Sequence, residues 1–354
     1  MPAHPKPRDE LREIAAYQAG RAAPSGAVKL SSNENPFPPL PGVEAALADA
    51  AAEVNRYPDF GSSLLLSALS DALDVSQDQI ALGTGSVAVL GQVVTAMAGS
   101  GHEVVFPWRS FEAYPITVQL SGAAQVRVPL RADHTHDLDA MVAAVGDRTR
   151  VVLLCTPNNP TGTVISRAAL ERFLGQTPSH VVVVVDEAYV EFVRDPLSAD
   201  SLDLLDEHHN LVVLRTFSKA YGLAGVRVGY GVGQPEVIEQ VRKAQLPFGV
   251  TAMAERAAIA ALAGRAELSR RVDALVAERD RVQQRLADMR YPAPHSQGNF
   301  VWLPVLDRAD QFAQQCEDSG VVVRTFSGDG VRVTIGEPYA NDRWLAVLHD
   351  FLGL

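Results

Sequence analysis

The chain has 354 residues, with 31 Lys+Arg against 42 Asp+Glu for a formal net charge of −11; 47% of its residues are hydrophobic and 21% charged. That acidity argues against a nucleic-acid or anionic-membrane partner, the apolar content excludes disorder for most of the chain, and the length suits two domains or one large one. The two cysteines, Cys155 and Cys316, can build neither a disulfide framework nor a metal-ligand spacing, and no apolar run approaches the ~18 residues of a membrane span or forms a leader at the N-terminus, so a cytoplasmic protein is expected.

In chain order, residues 1–35 are proline-rich and irregular around a short helix. They are too few to build a core, so they are expected to form an arm on a later part of the chain or on another subunit. The run QIALGTG (79–85) then reads as a strand that turns through Gly83, Gly85 and Ser86 into the apolar helix SVAVLGQVVTAMAG. A glycine-rich turn feeding a helix N-terminus presents free N–H groups to a phosphate. The bare spacing GxGxxA also fits a dinucleotide site, which needs an acid about 20 positions on. The next strand, EVVFP (103–107), is followed instead by Trp108 and Arg109. A plain tight turn and a phosphate seat for another cofactor both stay open.

After AQVRVPL (124–130), the strand VVLLC (151–155) ends in TPNNPTG (156–162), a turn whose Asn159 amide is free to meet a ligand or simply to close the loop. The strand HVVVVVDE (180–187) carries Asp186 and Glu187 at its carboxyl end. A hydrophobic run closed by DE also describes the magnesium strand of P-loop ATPases, but no GxxxxGK[ST] occurs in the chain. An Asp directly after five valines is partly desolvated and needs a cationic partner to stay charged.

The strand NLVVLRTFS (210–218) leads into Lys219, with Arg227 eight residues on at the start of VRVGYGV (226–232). Of the 31 basic residues only four are lysines (Lys6, Lys29, Lys219 and Lys243), the other 27 being arginines. A lysine at a strand's carboxyl end in an open α/β sheet lies where ligands bind, and a desolvated amine beside other cations is the type that bonds to carbonyl carbon. The bland reading is a loop lysine in solvent.

Several of these runs lack polar alternation, as strands do when both faces are covered by helices. The expected architecture is α/β, a mostly parallel seven-stranded sheet between helices. Beyond about residue 250 come long helices broken near Gly264, then NFVWLPV, VVVRTF, VRVTIG and a closing helix, an α+β pattern. The expected division is an arm over 1–35, a large domain over 36–250 and a smaller C-terminal domain over 251–354.

Four strand ends thus offer a phosphate cradle (Gly85, Ser86), an amide (Asn159), an acid with a phenol three residues on (Asp186, Tyr189), and an amine with an arginine (Lys219, Arg227). Together they suit an aldehyde that carries a pyridine nitrogen, a phenolic oxygen and a phosphate, namely pyridoxal phosphate.

With these residues in view, the chain resembles the fold-type I pyridoxal-phosphate aminotransferases and, within them, the histidinol-phosphate and aromatic aminotransferase group. SSNENP (31–36), NRYPD (55–59), GTGS (83–86), SFEAY (110–114), CTPNNPTG, VDEAYVEF, RTFSKAYGLAGVRVGY and VRVTIG (331–336) run in the family's order from about residue 30 to the end. The resemblance implies that Lys219 holds the cofactor covalently and then moves the proton at the substrate Cα, that Asp186 pairs with the pyridine nitrogen, and that Asn159 and Tyr189 bond the phenolic oxygen. It implies a phosphate clamp of Gly85, Ser86, Val87, Ser218 and Arg227, completed by Tyr57 from the neighbouring subunit of a homodimer with shared active sites. Phe111 aligns with the aromatic that stacks on the cofactor, and Arg332 with the arginine that grips the substrate α-carboxylate. WRSFEAYP (108–115) and VRTFSGDGVRVTIGEP (323–338) look like the actinobacterial aromatic aminotransferases, and Val87 and Ala88 follow Ser86 where histidinol-phosphate enzymes usually show an acid. Transamination of an aromatic amino acid with 2-oxoglutarate is therefore expected, with histidinol phosphate as the alternative substrate. Arg324 is left to bind either a substrate phosphate or the dicarboxylate.

Overall fold

A computed structural model describes Leu11, Ala16 and residues 23–354; the short helix expected in the first 35 residues lies outside the described residues. The chain runs β1 (Val28–Lys29), α1 (Val43–Ala51), α2 (Ser63–Leu73), β2 (Ile80–Gly83), α3 (Ser86–Met97), β3 (Glu103–Trp108), α4 (Ala113–Ser121), β4 (Ala124–Pro129), α5 (Leu138–Ala143), β5 (Thr149–Cys155), α6 (Arg167–Gln176), β6 (Val182–Asp186), β7 (Leu211–Thr216) and β8 (Gly229–Gly233). It continues with α7 (Pro235–Lys243), α8 (Ala252–Ala263), α9 (Arg265–Asp288), β9 (Phe300–Leu303), α10 (Ala309–Asp318), β10 (Val321–Val322), β11 (Arg324–Phe326), β12 (Gly330–Thr334) and α11 (Pro338–Leu352). The helix break expected near Gly264 separates α8 from α9.

Strands β2 to β8 form one seven-stranded sheet in the order β2-β8-β7-β6-β5-β3-β4. The pairs among β3 to β7 are parallel, and β8 runs antiparallel to both its neighbours. The valines of β6 explain why the sheet has helices on both faces. Val182 and Val184 pack into one core with Val89 and Val93 of α3, Tyr114 and Val118 of α4, and Ile238 of α7; Val183 and Val185 pack into the other with Leu170 and Phe173 of α6. Alternate side chains point to opposite faces, so a strand buried on both faces must be apolar throughout.

Connections from β3 run toward the β4 edge, while those from β5 run back through β6 and β7. The chain therefore reverses direction between two adjacent strands. Beyond the carboxyl ends of such strands a crevice opens where ligands bind in open α/β sheets. The residues just after β3 and β5, which include Phe111 and Asn159, flank it. The N-terminus of α3 is drawn onto the sheet by glycine in β8: a Cβ on Gly229 would lie 2.3 Å from the Ser86 backbone nitrogen.

A second, three-stranded antiparallel sheet, β11-β12-β9, follows the long helices and packs against α10. The arm is tied to this part of the chain, as β1 pairs in parallel with β10 through Val28 opposite Val321 and Lys29 opposite Val322.

Candidate active site

A cavity of about 220 Å³ opens beyond the carboxyl ends of the large sheet. Of the residues expected at the site, Gly85, Ser86, Val87, Phe111, Asn159, Asp186, Tyr189, Ser218, Lys219, Arg227, Arg324 and Arg332 all line it. Tyr57 does not: its ring is 83% exposed and leans on Phe248, 4.7 Å between centroids.

Asp186 ends β6 and is only 5% exposed. The Tyr114 hydroxyl donates to its Oδ2 at 3.1 Å and the Ala188 N–H to its Oδ1 at 3.3 Å. Both donors favour the carboxylate, as does the nearby Lys219, yet burial prevails and pushes its pKa up to about 6. Strand alternation separates the roles of the DE pair. Asp186 faces the cavity, whereas Glu187 points away into a buried ion pair with Arg215, at 2.8 Å to Nη2 and 2.9 Å to Nε. A buried carboxylate already paired in this way offers nothing to a ligand.

Lys219 follows β7 by three residues, and its Nζ donates to the Ser32 carbonyl oxygen at 3.1 Å and lies 5.7 Å from the Tyr189 ring centroid. Burial, followed by the charges of Arg332 and Arg227, pulls its pKa down to about 7 against the opposing pull of Glu34 and Asp186. A substantial fraction of the amine is then neutral, and nucleophilic, near pH 7. The Tyr189 hydroxyl accepts from Asn33 Nδ2 at 2.9 Å, and burial holds the phenol well above its ordinary range. Asn33 itself is clamped by Thr334 Oγ1, at 2.9 Å from its backbone nitrogen, and by Asn299 Nδ2, at 3.2 Å from its carbonyl oxygen.

On one side of the amine lies an anion cradle. Gly85 caps α3 at φ 88°, and the first N–H groups of that helix, on Ser86 and Val87, have no intrahelical acceptor. Arg227 reaches over them, donating from Nη1 to Ser218 Oγ at 3.2 Å and from Nη2 to the Thr84 carbonyl oxygen at 3.1 Å. A Cβ on Gly85 would fall 2.5 Å from that Nη2 and, at φ 88°, would be strained, so a side chain there would push the guanidinium off the cradle.

Arg332 of β12 defines the other side. Its Nη1 donates to Asn159 Oδ1 at 2.5 Å and its Nη2 to the Ser31 carbonyl oxygen at 2.8 Å, which fixes the guanidinium plane above the Phe300 ring. Of the two asparagines in the turn, Asn159 faces the cavity. Asn158 instead braces the loop, accepting from Ser110 Oγ at 2.7 Å and donating to Thr161 Oγ1 at 2.9 Å.

Several groups in or behind the cavity wall escaped the sequence reading. Ser31 and Ser32 act through backbone carbonyls, which no residue pattern marks. Tyr114 stands three residues after Phe111, in the first turn of α4; a phenol there, opposite the end of an acid-tipped strand, is the signal that was available. Glu112 reaches the cavity and pairs with Arg324 at 2.7 Å.

Residues 25–347 match the family model of class I and II aminotransferases. A protein of Streptomyces coelicolor named aromatic amino acid aminotransferase is 53% identical over 98% of this chain and 98% of its own. A Rhodococcus jostii protein of the same name is 51% identical over 97% and 95%. Among solved structures, a histidinol-phosphate aminotransferase of Sinorhizobium meliloti in complex with pyridoxal-5'-phosphate superposes with a TM-score of 0.88 at 28% identity, over 99% of both chains.

Proposed function

This chain belongs to the class I and II aminotransferases, and we propose that it transfers the amino group of phenylalanine, tyrosine or tryptophan to 2-oxoglutarate, giving the aromatic 2-oxo acid and L-glutamate. The observation that carries this reading is one cavity holding a depressed lysine amine, a buried acid and a glycine-lined anion cradle, in a chain about half identical to proteins named for that activity.

Pyridoxal phosphate fits the donor set. When bound, it supplies an aldehyde that condenses with amines and a ring that takes up the electrons left when a Cα proton departs. The α3 N-terminus at Ser86 and Val87, the Ser218 hydroxyl and Arg227 would hold the phosphate, helix dipole and guanidinium acting together. Asp186 would face the ring nitrogen; a carboxylate at the border of ionisation in the free protein becomes fully charged once a cation neutralises its burial. Asn159 and Tyr189 would meet the phenolic oxygen, and Phe111 the ring face.

Lys219 would supply the amine that anchors the cofactor, and its lowered pKa keeps a neutral, nucleophilic fraction available near pH 7. With substrate bound, the same Nζ would stand as the base that takes the proton from the substrate Cα. Arg332 orients the substrate by its α-carboxylate, and the planar fork sets direction as well as charge. We read residues 36–250 as the cofactor-binding domain and 251–354 as the smaller one that contributes Arg324 and Arg332, so that a bound substrate bridges the two.

The proposal extends to a homodimer with shared sites. Tyr57, Phe60, Leu64, Leu246 and Phe248 are large apolar side chains at the surface, a concentration more typical of an interface than of a solvated face. Tyr57 of each protomer would enter the partner's cavity beside the phosphate. Among the described residues no helix is long and apolar enough to cross a membrane, and both cysteines are free and buried; we place the enzyme in the cytoplasm.

Borohydride treatment of the purified coloured protein should fix the cofactor on Lys219, mapped by peptide mass spectrometry. Lys219→Ala should bind the cofactor non-covalently and fail to turn over. Protein that binds no pyridoxal phosphate, or that carries it on another residue, refutes the assignment.

A further inference from the structure

Two arginines reach the substrate side of the cavity from neighbouring strands. Arg324 of β11 lies directly opposite Arg332 of β12 in the antiparallel register, so their side chains leave the same face of the small sheet. Their environments differ. Arg332 donates to neutral acceptors, Asn159 Oδ1 and the Ser31 carbonyl oxygen. Arg324 is held by an anion, the Glu112 carboxylate at 2.7 Å, with the two side chains only 13% and 29% exposed. Glu112 arrives from the opposite wall, at the start of α4, while Arg324 also lies 5.6 Å from the Phe326 ring centroid.

The two cations of the cavity thus differ: Arg324 has a carboxylate on its guanidinium, and Arg332 is oriented by an amide oxygen and a backbone carbonyl. A neutral side chain that enters can leave the Glu112–Arg324 pair in place, and its ring can lie against the guanidinium that Phe326 already flanks. An anionic side chain has to displace Glu112 from Arg324, and the displaced carboxylate stays nearby. For a single carboxylate this is an exchange of like for like. In a half-buried site the repulsion between the incoming carboxylate and the displaced Glu112 is weakly screened.

We propose that Glu112 is a specificity-determining residue: its carboxylate occupies Arg324 in place of an anionic substrate group, so that the cavity favours uncharged aromatic side chains and admits anionic ones only by displacement. The inference rests on the aromatic aminotransferase reading above, and its test separates the two.

The experiment is a single-turnover half-reaction of the holoenzyme, followed by cofactor absorbance with no acceptor present, using L-phenylalanine and L-glutamate as amine donors. A wild-type protein that fails to react with phenylalanine refutes the functional reading itself. Given that reaction, Glu112→Gln should raise the rate ratio of glutamate over phenylalanine by about tenfold or more, the scale of one charge-assisted hydrogen bond. Arg324→Gln should lower that ratio, and adding Glu112→Gln to it should produce no further change. An unchanged ratio in Glu112→Gln overturns the proposal. So does an equal rise in the Arg324→Gln background, which would mean that Glu112 repels anions without masking Arg324. Should Glu112→Gln fail to fold, Arg324→Gln alone decides: a ratio that does not fall contradicts a role for Arg324 in admitting anions.

Discussion

Replacing Tyr114 with phenylalanine removes one atom from the least accessible part of the site. The ring is fully buried and packs edge-on against Phe106 and Phe111, with centroids 6.2 and 5.7 Å away, so the variant keeps its packing and loses the hydroxyl that donates to Asp186 Oδ2 at 3.1 Å. A hydrogen bond to a charged group contributes ~1.5–3 kcal/mol. At this distance the lower end applies, and ~1.4 kcal/mol corresponds to about one pK unit. The donor favours the ionised form, so its loss raises the Asp186 pKa, from about 6 toward roughly 7. With Asp186 facing the ring nitrogen as proposed, cofactor affinity of the free protein should fall as pH drops through that value. At pH 6 Tyr114→Phe should bind pyridoxal phosphate roughly fivefold more weakly than wild type, and at pH 8 almost as well. Titrating the cofactor into apo protein across that range checks this, because its own ionisations and those of Lys219 are common to both proteins. An acidic limb that does not move, or a loss equal at pH 6 and pH 8, would show that Tyr114 does not tune the acid.

Gly85→Ala should lose cofactor affinity by about tenfold or more while far-ultraviolet circular dichroism is preserved, because a Cβ must displace Arg227 Nη2 and alanine at positive φ carries a strain of ~1–2 kcal/mol; retained affinity contradicts the cradle. In the apo protein, acylation of Lys219 by an amine-specific reagent should reach half its maximum near pH 7, since burial and Arg332 lower the pKa to about 7 from 10.5. A midpoint near the ordinary value would show that the amine is solvated. Arg332→Lys keeps the charge and loses the fork, and kcat/KM for phenylalanine should fall roughly thirtyfold or more, the equivalent of ~2 kcal/mol; an unchanged value would place the carboxylate elsewhere.

The strand ends were legible because each carries its signal locally. Five valines before Asp186 announce a strand buried on both faces, Gly85 marks a turn into a helix, and Lys219 stands out in a chain with three other lysines. The pairings that give these groups their properties are not local. Lys219 meets the Ser32 carbonyl 187 residues away, Asn33 meets Tyr189 across 156, and Glu112 meets Arg324 across 212. No hydrophobic period encodes such contacts; they follow from β1 pairing with β10, which lays the arm across the cavity, and from the small sheet facing α4. Arg324 shows the consequence most clearly. By sequence it is a cation beside a substrate arginine, open to a phosphate or a dicarboxylate, and only its fold neighbour Glu112 shows that its charge is already met. Tyr57 illustrates the reverse: its ring lies outside its own cavity, and the role proposed for it requires a second copy of the chain.

The central claim is tested most directly by steady-state kinetics of the purified holoenzyme, with 2-oxoglutarate as acceptor and L-phenylalanine or histidinol phosphate as donor. The account predicts that kcat/KM for phenylalanine is the larger. A larger value for histidinol phosphate, or no turnover of either donor, would contradict it.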